Sequence, residues 1–273
     1  MFSHKDTKVT KDNEQNPSCS LCLCVRKIFA PLRLCAKLKP LDLIYPRQCP
    51  GCKEKPDREK RHWCWDCFQQ IEMFPLHGGC DLCGQRVEGN VTHSFVCGPC
   101  QSDRPSFDRA RAAADFSGSL REQILAFKYN GALWMQQDLC DILEGAVSAF
   151  FQPTMIDVVM PVPLHYLRQR ERTYNQSALL AEEIARRIDR RCDTQSLVRV
   201  RETSTQTKLD KAHRRANVAS AFQVKRPEWV AQRCVLLIDD VMTTGATLDE
   251  CARVLKKAGA RTVWAATIAR RKS

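Results

Sequence analysis

Several features that mark other classes of protein are scarce in this sequence of 273 residues. No apolar run reaches the roughly 20 residues that a membrane-spanning helix requires, so we expect no membrane span. Residues 1–17 are polar and lack the apolar core of a secretory signal, which predicts a cytoplasmic protein. Aromatic residues make up only 7% of the chain, which is too little to predict a row of base-stacking side chains.

Acidic residues are also in short supply, because 31 Asp and Glu stand against 43 Lys and Arg. The formal net charge of +12 favours anionic partners, namely phosphorylated metabolites, nucleic acid or anionic lipid, without selecting among them. The basic residues are spread along the chain rather than gathered in one tail. Solubility alone is therefore an equally ordinary explanation of the charge.

Cysteine, in contrast, is abundant, with 16 residues, and its spacing is regular between residues 49 and 100. Four Cys-x2-Cys pairs provide enough thiolates for two tetrahedral zinc sites of the closed, structural type. The predicted metal ligands are Cys49, Cys52, Cys64, Cys67, Cys80, Cys83, Cys97 and Cys100. Because no secretory signal is present, zinc binding in a reducing compartment is favoured over disulfide bonds.

The spacing leaves open how the four cysteine pairs combine. Joining the first pair with the second and the third with the fourth closes short loops and is favoured, while an interleaved arrangement stays an alternative. Since this region contains few apolar residues, we expect zinc to supply its fold. The nearby His62, His77 and His93 are interpreted as surface residues, because the cysteines already complete both sites.

The stretch from Val235 to Ile238 is aliphatic and predicts a strand that is buried on both faces of a parallel sheet. Asp239 and Asp240 end this run, and a Thr/Gly turn and a helical pattern follow. Ligands of open α/β sheets bind at the carboxyl ends of the strands. There, free amides suit a phosphate, and two carboxylates suit vicinal hydroxyls or a metal ion that a phosphorylated ligand carries. A Walker loop is excluded, because no Gly-Lys-Ser/Thr sequence follows.

Alternating strand and helix patterns elsewhere predict the same α/β class. Strands are predicted at 109–116, 155–162, 197–200 and 261–269, and helices at 119–127, at 135–150 and around Ile184. Arg168, Arg170 and Arg172, just past a strand, suit a pyrophosphate, although a solvated basic face is the alternative. The polar, basic residues 201–222 predict a mobile loop over the site or a nucleic-acid surface, and Arg270 to Lys272 a basic tail.

Residues 238–247, Ile-Asp-Asp-Val-Met-Thr-Thr-Gly-Ala-Thr, resemble the loop that binds phosphoribosyl pyrophosphate (PRPP) in type I phosphoribosyltransferases. The resemblance implies that Asp239 and Asp240 hold the 2′ and 3′ hydroxyls of the ribose. It also implies that the turn binds the 5′-phosphate through Thr243, Thr244, Gly245, Ala246 and Thr247.

Further motifs extend the resemblance to the ComF family, which joins a cysteine-rich ribbon to a phosphoribosyltransferase-like domain. They are the cysteine pairs, Leu125–Tyr129, Pro161–Pro163, Arg170–Gln176, Thr205 with Gln206, and Arg215 with Asn217. Thr173 departs from the family pattern, in which glycine is common, and residues 1–40 lie outside it. The resemblance implies a role in DNA uptake during natural transformation or in the use of external DNA.

The predicted fold is therefore an α/β domain, a type I phosphoribosyltransferase-like parallel sheet flanked by helices, preceded by a small double zinc ribbon. We predict a basic, disordered extension at residues 1–44, the double zinc ribbon at 45–103 and the phosphoribosyltransferase-like domain at 104–273. The extension contains Cys19, Cys22, Cys24 and Cys35, for which the sequence suggests no role.

Two functions of different classes follow. The first is an enzyme that transfers phosphoribose from PRPP to a nitrogen acceptor and releases pyrophosphate, a pentosyl-transferring glycosyltransferase. Asp239 and Asp240 would orient the ribose and stabilise the positive charge that develops on it, and Lys128 and the arginines would hold the pyrophosphate with Mg²⁺. The alternative is a non-enzymatic accessory protein that binds single-stranded DNA or docks a competence helicase. The sequence contains no recognisable acceptor pocket.

Overall fold

The structure is a computed structural model that describes residues 47–57, 61–75, 78–86, 93–165, 174–201 and 219–271. Residues 48–273 form one compact unit. Three groups of residues with predicted roles lie outside the described residues. They are the extension 1–44 with its four cysteines, the arginines Arg168, Arg170 and Arg172, and the polar stretch 202–218.

A five-stranded parallel sheet is the centre of the fold. Its strands are β1 (Arg109–Asp115), β2 (Val158–Pro161), β3 (Arg191–Cys192), β6 (Cys234–Met242) and β7 (Thr262–Arg270), in the order β1-β7-β6-β2-β3. A separate antiparallel pair joins β4 (Leu197–Arg199) to β5 (Phe222–Val224). The α/β prediction is confirmed, whereas the strand at 197–200 lies outside the main sheet.

The longer helices cover both faces of this sheet, and two short helices lie in the cysteine-rich region. They are α1 (Trp65–Gln69), α2 (Gly98–Ser102), α3 (Gly118–Tyr129), α4 (Gln136–Phe150), α5 (Gln176–Arg187) and α6 (Ala246–Lys257), with 3-10 turns at Leu133–Met135, Pro153–Met155 and Pro227–Trp229. Neighbouring side chains of β6 lie on opposite faces of the sheet. Ile238 packs in the core with α3, α4 and α5, and Leu237 packs in the core with α6. In the described residues, no helix is long and apolar enough to cross a membrane.

The central strand extends further than the sequence predicts. β6 does not end at the two carboxylates but continues to Met242, so that Asp239 and Asp240 lie inside its carboxyl-terminal part. The reason is that β7 continues beside it, with Val241 opposite Ala269 and Met242 opposite Arg270. The pairing of β6 with β7 therefore continues beyond the aliphatic residues 235–238. For the same reason Arg270, which we predicted in a basic tail, is the last residue of β7 and is buried.

The cysteine-rich region packs along β1, the edge strand of the sheet. The Phe74 amide donates to the carbonyl of Ala113 at 2.8 Å, and the Ala110 amide donates to that of Leu82 at 2.7 Å. Trp63, which is fully buried, belongs to the same core as helices α3 and α4. The ribbon thus covers an edge that would otherwise expose unpaired backbone groups. Its fold rests on this shared core as well as on the zinc that we expected to supply it.

Candidate functional site

The predicted metal ligands form two clusters, and their sulfur atoms lie within 4.8 Å of one another in each. The first cluster is Cys49, Cys52, Cys64 and Cys67, and the second is Cys80, Cys83, Cys97 and Cys100. The cysteine pairs therefore combine sequentially, and the interleaved arrangement is wrong. The Cys52 and Cys64 sulfurs are 3.7 Å apart, as are those of Cys83 and Cys97. A tetrahedron with Zn–S bonds of about 2.3 Å has edges of about 3.8 Å, so both clusters fit zinc.

The electrostatics of the clusters agree with a bound cation. Burial alone would raise the pKa of Cys49, but amide donors, including that of Cys64, lower it to about 7. The pKa of Cys80 is lowered to about 7 in the same way, with Cys83 and Cys97 among the amide donors. Burial and the neighbouring sulfurs instead raise the pKa of Cys67 to about 12. Four thiolates therefore crowd one another unless a cation such as zinc neutralises them.

A buried carboxylate of α4 holds the first cluster against the sheet domain. Asp138 is fully buried, and its carboxylate accepts hydrogen bonds from the amides of His62 and Trp63 at 3.1 and 3.3 Å. It also lies 3.1 Å from His62 Nδ1, and Arg61 pairs with Asp141 one turn along the helix. No sequence pattern distinguishes Asp138 from an ordinary acidic residue in the first turn of a helix. His62 is partly buried against Asp138 and belongs to neither cysteine cluster, so it is less exposed than predicted but is not a metal ligand of these clusters.

Cationic side chains hold the second cluster. Arg270 Nη1 of β7 donates to the carbonyl of Cys83, and Arg111 Nη1 of β1 donates to that of Asp81 at 3.1 Å. Arg86 of the ribbon pairs with the buried Asp115 at 3.3 Å. Both clusters are thus fixed to the domain that carries the acid pair. The ribbon and the sheet domain therefore form one continuous packed structure.

Two helices bring polar side chains to the acid pair of β6. From α3, Lys128 Nζ donates to Asp240 at 2.8 Å. From the first turn of α5, Ser177 Oγ donates to Asp239 at 2.9 Å, and Gln176 Nε2 approaches Asp240 at 3.4 Å. Lys128 was predicted to be a ligand-binding residue, and the structure places it beside the acids. The serine and glutamine were not predicted, because such residues at a helix start are typical capping residues.

The environment of the acid pair shifts the pKa of Asp239 and that of the neighbouring Lys128. Burial and the neighbouring Asp240 raise the pKa of Asp239 from 3.8 to about 7. Burial lowers the pKa of Lys128, but the attraction of Asp240 and its hydrogen bond outweigh this and raise it overall. Lys128 therefore stays charged at neutral pH, and Asp239 changes its charge near neutrality. A carboxyl group poised in this range is typical of functional sites.

A glycine turn follows β6 and leads directly into α6. Gly245 has a φ of 81°, a left-handed conformation that glycine adopts without strain, and α6 begins directly after it. The first amides of a helix have no partner within the helix, and they carry the positive end of its dipole. Thr244 Oγ1 accepts from the amide of Ala246 at 3.4 Å, and Thr243 is exposed. The predicted residues Thr243, Thr244, Gly245, Ala246 and Thr247 thus lie in this turn and in the first residues of α6, where free amides suit an anion.

Replacing Asp239 by asparagine is expected to stabilise the protein more at pH 8 than at pH 5. The folded-state pKa is raised, so the native protein retains a proton that the unfolded chain loses between about pH 4 and pH 7. Wild-type stability therefore falls across this range, whereas uncharged asparagine removes the loss and can still accept from Ser177. We expect the two effects to differ by at least about 1.4 kcal/mol, the equivalent of one pKa unit. Urea unfolding at both pH values measures this, and equal effects would contradict it.

Geometry and sequence define a class of protein, a phosphoribosyltransferase-type domain with a double zinc ribbon. The family model of the phosphoribosyl transferase domain matches residues 175–273, and that of the double zinc ribbon domain matches residues 40–102. Competence protein F of Haemophilus influenzae is 33% identical over 217 residues, which cover 78% of this chain and 92% of that protein. The chain belongs to this family, the ComF family of competence and DNA utilization proteins.

Other members of the family show similar coverage. The DNA utilization protein YhgH of Escherichia coli is 30% identical over 215 residues, which cover 73% of this chain and 93% of that protein. Competence protein ComFC of Bacillus subtilis is 28% identical over 214 residues, which cover 75% of this chain and 81% of that protein. The resemblance that the motifs predicted is therefore confirmed.

Proposed function

We propose that this protein binds PRPP with Mg²⁺ at the acid pair of β6 and transfers the phosphoribosyl group to a nitrogen acceptor. The observation that carries the proposal is the acid pair, held by Lys128 and Ser177, directly before the glycine turn that opens α6. The family model of a phosphoribosyl transferase domain supports it.

Each part of the site has a distinct role in this proposal. The carboxylates of Asp239 and Asp240 accept hydrogen bonds from the ribose hydroxyls, and the amides of the turn bind the 5′-phosphate. The bond between C1 of the ribose and the pyrophosphate oxygen breaks, and its electron pair leaves with pyrophosphate. The acceptor nitrogen forms the new bond to C1 and gives its proton to water. The nearby carboxylates stabilise the positive charge that develops on the ribose.

The pyrophosphate needs cations, and the chain offers several. Lys128 lies at the acid pair, and we propose that Arg168, Arg170 and Arg172 complete the pyrophosphate site. Carboxylate and phosphate oxygens are the ligands that Mg²⁺ prefers, so the carboxylates of Asp239 and Asp240 would suit a magnesium ion that is bound with PRPP, and this ion would neutralise charge on the leaving group.

The names of the relatives support a cellular setting for the proposed activity. Competence protein F and the DNA utilization protein YhgH support a role in the uptake or use of external DNA. We place the protein in the cytoplasm, where reducing conditions preserve zinc thiolates. A second candidate function is the binding of single-stranded DNA, alone or with a helicase partner, and the net charge of +12 favours it.

Turnover of PRPP tests the proposal. The zinc-loaded protein is expected to release pyrophosphate from PRPP in the presence of Mg²⁺ and an acceptor from a panel of nucleobases and amines. The Asp239→Asn/Asp240→Asn variant should be at least about 100-fold slower, because two charged hydrogen-bond acceptors are lost. A control with the same change of charge at exposed positions, Asp66→Asn/Glu228→Gln, should keep the wild-type rate. Absence of turnover together with steeply salt-dependent DNA binding would favour the second candidate.

A further inference from the structure

A cavity of about 370 Å³ lies near the amino ends of β1 and β7. We call it the β1 cavity, and its walls include Arg109 of β1, Trp264 of β7 and Phe150 at the end of α4. Its volume falls in the range of about 300–1,000 Å³ that is typical of ligand pockets. Trp264 comes three residues before Thr267, which lies opposite Asp239, so the acid pair is about 10 Å away along the sheet. Of the described residues that line the β1 cavity, none belongs to the proposed PRPP site.

Apolar side chains form most of the wall of the β1 cavity. The rings of Phe151 and Trp264 are in contact, with their centroids 5.3 Å apart, and Phe150 lines the cavity beside them. Met155 adds a flexible thioether to the wall, and this side chain is 49% exposed. Aromatic rings pack well on other flat rings, and methionine adapts its shape to a ligand. The walls therefore suit a planar, largely apolar ring.

Arg109 gives the β1 cavity a positive charge that no carboxylate of the described residues neutralises by an ion pair. Its Nη1 donates to the carbonyl of Phe150 at 3.3 Å, which occupies one of the five N–H groups of the guanidinium. Asp108, the acid in the same wall, has other partners. Its Oδ2 pairs with Lys256 Nζ at 2.7 Å and accepts a hydrogen bond from the Val263 amide at 2.7 Å. The remaining N–H groups of Arg109 can therefore donate to a ligand.

A second guanidinium adds to the positive potential beside the β1 cavity. Arg111 follows Arg109 by two residues on the same face of β1, and its Cζ lies 5.6 Å from the centroid of the Phe150 ring. Arg111 is partly buried, and it donates to the carbonyls of Asp81 and Ala110 at 3.1 and 2.8 Å. Burial and the charge of Arg109 lower the pKa of Arg111. An anion bound to Arg109 would offset this repulsion between the two guanidinium groups.

We propose that the β1 cavity binds a planar aromatic carboxylate. Its ring lies against Phe150, Phe151 and Trp264, and its carboxylate accepts paired hydrogen bonds from the guanidinium of Arg109. The single charge of a carboxylate matches the one guanidinium of the wall, whereas the second charge of a phosphate would lie unpaired near Asp108. The inference goes beyond the proposed function, because this ligand contacts neither the acid pair nor the turn after β6.

Calorimetric titration of the zinc-loaded, full-length protein with 2-naphthoate and with its neutral counterpart 2-naphthamide tests this proposal. The carboxylate is expected to bind at millimolar concentration or below, and at least about 5-fold more tightly than the amide. Arg109→Gln should weaken the binding of 2-naphthoate at least about 5-fold, because charge-assisted hydrogen bonds are lost, and that of 2-naphthamide less than about 2-fold. Arg104→Gln removes the same group from an exposed position outside the cavity and should leave both affinities unchanged.

A second variant keeps the test decisive if Arg109→Gln does not fold. Met155→Ala shortens an exposed residue of the apolar wall and should weaken the binding of the carboxylate and of the amide alike. The Asp239→Asn/Asp240→Asn variant should bind 2-naphthoate as the wild type does.

The proposal is overturned if the folded wild type does not bind 2-naphthoate at millimolar concentration. It is also overturned if Arg109→Gln binds 2-naphthoate as tightly as the wild type, or if PRPP displaces this ligand. Binding of 2-naphthoate that depends on Arg109, in a protein that does not bind PRPP, would support this proposal and reject the proposed function.

Discussion

Replacing Cys49 by serine is expected to release the zinc of the first cluster and to lower the free energy of unfolding by more than about 4 kcal/mol. Cys49 is fully buried, and its sulfur accepts the Cys64 amide at 3.4 Å. The loss should spread beyond the ribbon, because Trp63 packs in the core of α3 and α4. The buried Asp138 would also lose the amide donors that compensate its burial.

Zinc content and thermal unfolding measure this effect. We expect the variant to retain one zinc ion where the wild type holds two, and its midpoint to fall by on the order of 10 °C. Cys192→Ser is the matched control, because Cys192 is partly buried and lies outside both clusters. It should keep both ions and lose little stability. A Cys49→Ser protein with two zinc ions and an unchanged midpoint would show that the cluster is not a structural zinc site.

The sequence predicted those features that depend on neighbours along the chain. The aliphatic run of β6, the stripe of Leu248, Ala252 and Leu255 on α6, and the glycine at 259 all follow from local patterns. Gly259 has a φ of 92°, as expected of the residue that ends a helix. The end of β6 was wrong because pairing with β7 sustains the strand past the acids. A hydrophobic pattern predicts which residues are buried. The length of a strand also depends on the neighbouring strand, here β7, which is distant in sequence.

The contacts that build the site depend on residues far apart in the chain. Lys128 and Asp240 are 112 residues apart, and His62 and Asp138 are 76 apart. Only the fold decides that these side chains meet. Arg270 is the clearest case, because its sequence neighbours Arg271 and Lys272 suggest a solvated tail. In the structure its guanidinium donates to the Cys83 carbonyl of the ribbon, a contact that no local pattern encodes.

Replacing both acids of β6 by asparagine is expected to weaken the binding of PRPP strongly. In the Asp239→Asn/Asp240→Asn variant, each amide keeps an oxygen acceptor but loses the negative charge that strengthens hydrogen bonds from the ribose hydroxyls. Hydrogen bonds to charged groups contribute about 1.5–3 kcal/mol each, so the variant should lose about 3 kcal/mol or more of binding free energy. This corresponds to a loss of affinity of at least about 100-fold. Ser177 and Lys128 stay in place to preserve the geometry of the site.

Calorimetric titration of the zinc-loaded protein with PRPP and Mg²⁺ tests the central claim most directly. The wild type is expected to bind with micromolar affinity, and so is the charge-matched control Asp66→Asn/Glu228→Gln. The Asp239→Asn/Asp240→Asn variant, folded and holding both zinc ions, should bind at least about 100-fold more weakly. A folded wild type that does not bind PRPP, or an acid-pair variant that binds it equally well, would contradict the assignment of this site.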